Sequence, residues 1–133
     1  MDYSMLLLVL LGCPLAAALL IAVLPAKSTP RGAYETLHVL SLAGVAVAGL
    51  TLVVAAFAGS DIFALGEWFH LDGLSALFLG LIAVIAPCTG VYSLPYVAHD
   101  VAEGKLGPSQ VKQYYAFFSL FVFSMILAVT SNN

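Results

Sequence analysis

Three histidines, seven carboxylates and two cysteines are the groups through which this 133-residue chain could pass a proton or hold a metal. His70 and Asp72 stand two residues apart beside the start of a long apolar run, the arrangement of a proton-handling pair, since imidazole titrates near neutral pH and a carboxylate can hold the resulting charge. The plainer reading is a solvated histidine next to a helix cap. Asp72 would cap with Ser75 three residues on, its charge favoured by the helix dipole. His99, Asp100 and Glu103 lie between Pro95 and Pro108 and read as a polar loop. Cys13 and Cys88 have no Cys or His neighbour at metal-ligand spacing and read as small packing residues. Leu10, Leu11, Gly12 and Cys13 are like a lipoprotein cleavage box, but Met1 to Ser4 carry an acid and no base. The apolar run also continues past Cys13 to Leu24, so lipidation is not expected. There is no nucleophile and base arrangement and no phosphate loop. Hence no catalytic, cofactor-binding or metal-binding residue is assigned, and no cofactor is expected.

The elements around these groups are apolar. Hydrophobic residues make up 62% of the chain and charged residues 8%, against about 25% charged in soluble domains. With a mean hydropathy of +1.08, this is the composition of an integral membrane protein. The four basic residues form no cluster, so nucleic acid is excluded as a partner. An all-α fold of four transmembrane helices is predicted, over about 5–24, 37–57, 73–94 and 114–130; each is close to the 20 or so residues that cross a hydrocarbon layer. Pro14 falls inside the first span, where a membrane helix tolerates it.

Lys27 and Arg31 separate spans one and two, and Lys105 and Lys112 separate spans three and four. The positive-inside rule therefore puts both basic connectors in the cytoplasm and both termini, with the Asp61–Asp72 region, on the other side. Tyr3, Tyr34, Trp68, Tyr92, Tyr96, Tyr114 and Tyr115 fall near span ends, where amphipathic rings favour the headgroup zone. Small residues recur at helical spacing: Gly73, Ala76, Gly80, Ala83, Pro87 and Gly90 in span three, and Ser41, Gly44, Ala48, Thr51, Ala55 and Ala58 in span two. Gly12 and Ala16 make a shorter stripe in span one. Such stripes permit close backbone approach between membrane helices. Ion transport needs ionisable groups within the bilayer, and His38 opens span two near the cytoplasmic surface, leaving none deeper. A self-contained pump is therefore excluded. A small four-span multidrug exporter is excluded too, since it needs an embedded carboxylate and span one has none.

Three blocks in order carry a family likeness: Gly66 to Phe78; then Tyr92, Ser93, Leu94, Pro95, Tyr96; then Tyr114 to Asn133 with Phe123, Ser124, Met125 and a closing Ser131, Asn132, Asn133. Together they resemble the N-terminal segment of antiporter-like membrane subunits, found in respiratory complex I, in hydrogenase-4 or formate hydrogenlyase complexes, and in Mrp-type cation antiporters. Pro95 departs from the glycine often found there. The resemblance implies residues 1–65 as a two-span N-terminal segment and 66–133 as the antiporter-like segment, placed before the conducting core. It implies a structural part of a subunit that translocates protons, or sodium, in a membrane-bound redox complex, most like hydrogenase-4 or formate hydrogenlyase. Implied partners are the lipid bilayer and other membrane subunits of a hydrogenase or quinone reductase. The implied location is the inner cell membrane. The glutamate and lysines that carry protons in the family lie in later spans. Since Asn133 follows the fourth apolar run, a fragment, an ordered portion of a longer chain or a split gene product is expected. The competing expectation is a free-standing scaffold or assembly protein of such a complex.

Overall fold

The computed structural model describes residues 3–59 and 61–131. Asp2, Asn132 and Asn133, which entered the readings above, lie outside the described residues. Four helices follow in order, α1 (Tyr3–Val23), α2 (Arg31–Phe57), α3 (Gly73–Ala102) and α4 (Pro108–Thr130), with two short strands, β1 (Ile62–Ala64) and β2 (Phe69–Leu71), between α2 and α3. All four helices are long and apolar enough to cross a membrane.

Three of the helices run past the spans that hydropathy marks. Apolar residues measure the hydrocarbon, whereas a helix ends where its backbone is capped. At the start of α2, Pro30 fixes the extended entry (φ −68°), and Arg31 pairs with Glu35 one turn on at 2.9 Å. Pro108 occupies the first turn of α4, and the Gln110 Oε1 accepts from the Gly107 N–H at 2.8 Å. Pro95 does not stop α3, which runs through it to Ala102; a membrane helix can leave one carbonyl to other donors. The stop comes at Gly104 (φ +76°), a conformation that favours glycine, with the Lys105 N–H turned back onto the Asp100 carbonyl at 2.9 Å. His99 and Asp100 thus belong to the last turn of α3, with Glu103 as its C-cap, and are not a loop.

The all-α expectation needs one addition, the antiparallel hairpin of β1 and β2, in which Ile62 faces Leu71, Phe63 faces His70 and Ala64 faces Phe69. Side chains alternate across a strand. Ile62, Ala64 and Leu71 therefore bury against the helices, while Phe63 and His70 stack outside. Leu65 and Gly66 turn the chain with φ of +51° and +70°. The hairpin closes one end of the bundle, touching α1, α3 and α4.

The helices form a ring in which α1 packs between α2 and α4, and α3 likewise. Leu10, Val45, Leu52, Leu79, Val122 and Ile126 fill its centre. The small-residue stripes face inward in part. Ala76, Ala83 and Gly90 of α3 and Ser41, Ala48 and Ala55 of α2 are buried, whereas Gly73, Thr51 and Ala58 are exposed. In α1 the stripe is elsewhere: Ala16 is exposed, and Ala17 and Ala18 face the core instead. Cys13 is half-buried against Gly44, where an added Cβ would lie 2.9 Å from its Sγ, so it packs as expected. Cys88 is exposed on the outer face of α3 and does not.

Candidate functional site

His38 occupies the second turn of α2, on the inward line that also carries Tyr34, Ser41 and Val45. It is fully buried. His38 opens span two as expected, and the helical line that turns Ser41 inward turns it into the bundle as well. Opposite it on α3 stands Gly90, whose lack of a side chain admits the imidazole. A Cβ there would collide with Leu42 Cδ1, lie 3.0 Å from His38 Nε2 and 3.3 Å from Phe118 Cε1.

The Gly90 carbonyl lies 3.1 Å from His38 Nε2 and accepts the Ser93 hydroxyl at 2.6 Å. A carbonyl can only accept, so the neutral ring carries its proton on Nε2 and presents a lone pair at Nδ1. From α4, Tyr115 meets the imidazole with ring centroids 4.7 Å apart, and Phe118 meets it edge-on at 4.9 Å. Tyr115 is also fully buried, its ring turned into the bundle. Neither His38 Nδ1 nor the Tyr115 hydroxyl has a hydrogen-bond partner among the described residues. Tyr34 closes the layer below, its hydroxyl donating to the Pro25 carbonyl at 3.3 Å. The arrangement can hold a hydrogen-bonded guest or exchange a proton at Nδ1.

At the opposite end, Asp72 caps α3 as expected, accepting the Ser75 N–H at 2.8 Å. That backbone bond holds its carboxyl below the ordinary carboxylate value. His70 does not form an ion pair with Asp72. It lies flat on Phe63, with centroids 4.2 Å apart, and its Nε2 stands 3.8 Å from Asp61 Oδ1. His99 and Lys105 both pair with Glu103 at 3.0 Å on the exposed end of α3, where positive charge suits the helix dipole. Among the described residues, no group of three or more His, Cys, Asp and Glu could hold a metal. An apolar groove of about 310 Å³ opens between α3 and α4, lined by residues that include Ile85, Thr89, Phe121 and Met125.

Sequence reasoning missed both His38 and Tyr115 as buried partners. A signal was present for the first, since the small stripe of α2 continued three residues back from Ser41 reaches His38. For Tyr115 there was none, because its environment comes from α2.

Four helices long and apolar enough to cross a membrane define a multi-pass helical membrane protein. Its relatives place it more closely. Over 68 residues, 51% of the chain, it is 34% identical to the hydrogenase-4 component F homolog of Methylacidiphilum infernorum, covering 14% of that protein. Over 65 residues, 49% of the chain, it is 34% identical to NADH-quinone oxidoreductase subunit L of Campylobacter jejuni, covering 10% of that protein. It is 29% identical over 73 residues to NADH-ubiquinone oxidoreductase chain 5 of Neurospora crassa, covering 50% of the chain and 9% of the relative. About half of the chain is thus related to antiporter-like membrane subunits. The matches span between 9% and 14% of those proteins' own lengths. No family profile matches the chain, and no solved structure does.

Proposed function

We propose that this chain forms the N-terminal four-helix part of an antiporter-like subunit that translocates protons, or sodium, within a membrane-bound respiratory complex most similar to hydrogenase-4 or formate hydrogenlyase. The observation that carries this is the 34% identity to a hydrogenase-4 component F homolog and to a quinone oxidoreductase subunit L, joined to four helices of membrane length. Its role is to pack beside the conducting core. Residues 66–133 form the antiporter-like segment and residues 1–65 the two-span segment before it. The two basic connectors face the cytoplasm and the hairpin faces the other side, in keeping with the placement of Lys27, Arg31, Lys105 and Lys112. In a bacterium the membrane is the inner one. Partners are the other membrane subunits of a hydrogenase or quinone reductase.

Affinity purification of the tagged chain from native membranes in mild detergent tests this. Co-purifying hydrogenase or quinone-reductase subunits support it; a stable homo-oligomer without them overturns it in favour of a separate scaffold. Reconstituted alone in vesicles, the chain gives no ion flux above empty controls; flux would contradict a packing role.

A further inference from the structure

Two buried polar atoms of complementary character lie on rings that pack together where α2, α3 and α4 join. His38 Nδ1 is an acceptor, because the proton on Nε2 is engaged by the Gly90 carbonyl at 3.1 Å. The Tyr115 hydroxyl is a donor. Both side chains are fully buried, their rings are 4.7 Å apart, and neither atom has a partner among the described residues. A buried polar group left unpaired is costly, and folded proteins almost always supply such groups with a protein or water partner. An internal water needs about two to four polar partners. One placed here would donate to Nδ1 and accept from the Tyr115 O–H, so that both demands are met at once.

We propose that His38 Nδ1 and the Tyr115 hydroxyl jointly bind one water molecule at the α2–α3–α4 junction. The proposal concerns this chain's own packing and stands whether or not the chain serves a respiratory complex.

Magic-angle-spinning NMR of the full chain in lipid bilayers, labelled with 15N-histidine, tests it. The His38 signals are assigned by their loss in His38→Gln. The expected result is a proton on Nε2, a hydrogen-bonded Nδ1, and magnetisation transfer from water to the ring. Tyr115→Phe keeps the ring volume, and should return Nδ1 to its free shift and cut the water transfer several-fold, while the Nε2 bond to Gly90 persists as the sign of an intact fold. A free Nδ1 in the unaltered chain overturns the proposal. So does a hydrogen-bonded Nδ1 with no water transfer, which would mean a direct bond between His38 and Tyr115.

Discussion

Replacing Gly90 by alanine adds one methyl group at the most crowded point of the bundle. The new carbon would collide with Leu42 Cδ1 and stand 3.0 Å from His38 Nε2 and 3.3 Å from Phe118 Cε1, so three side chains from two helices must move. Overpacking of this kind costs about 1–3 kcal/mol. Displacing His38 from the Gly90 carbonyl forfeits a hydrogen bond worth about 1 kcal/mol. Alanine returns roughly 1 kcal/mol through its better helix propensity. The net loss is then about 1–3 kcal/mol, a shift of about 5- to 150-fold in the folding equilibrium. Gly80→Ala in the same helix is the control. Its Cβ would meet only the two Val53 methyls at 3.8 Å, an ordinary contact, so it should be neutral or stabilising by up to about 1 kcal/mol. Unfolding of the purified chain in mixed micelles, titrated with SDS and followed by circular dichroism, measures both. Equal stability of Gly90→Ala and Gly80→Ala would refute the close approach of α2, α3 and α4 around His38.

Other substitutions test other parts of the fold. Leu71→Ala, at a fully buried position of the hairpin, should cost about 2–5 kcal/mol in the same assay; a negligible loss would mean that the hairpin does not pack on the helices. Gly104→Val places a β-branched residue at φ +76° and should fray the last turn of α3, read as faster amide exchange at Glu103–Leu106 than in Gly104→Asn. Asp72→Ala should lower stability at neutral pH, while Asp72→Asn keeps the capping acceptor and loses less. Because the fold lowers the Asp72 carboxyl below its ordinary value of 3.8, its contribution is complete above that pH. It declines as pH falls through the lower folded value. A stability profile that shows this acid loss in the unaltered chain, and lacks it in Asp72→Asn, is the expected outcome; identical profiles count against the cap.

The start of α3 was legible because everything that makes it is local: Asp72, the Ser75 N–H and the apolar run behind them lie within one turn. The span centres were legible for a similar reason, since transfer into hydrocarbon depends on composition over about twenty residues. Helix ends were not. The apolar span ends at 94, just before Pro95, yet α3 continues to Ala102 and stops where Gly104 supplies a left-handed turn. The hairpin was legible in principle, with Ile62, Ala64 and Leu71 alternating about Leu65 and Gly66, but strands of three residues give a weak period. The character of His38 depends on Gly90, 52 positions away in sequence, and on Tyr115 beyond it. No local pattern announces a partner that far along the chain.

The hairpin between α2 and α3 makes that connection sensitive to odd and even. With Ile62 and Ala64 inside and Phe63 outside, one residue inserted in β1 would exchange the two faces and push Phe63 towards the bundle. Two inserted residues would restore the facing. Among variants of this segment, length changes should therefore be tolerated in pairs. A single-residue change should survive only in the Leu65–Trp68 loop, where no side chain is assigned to either face.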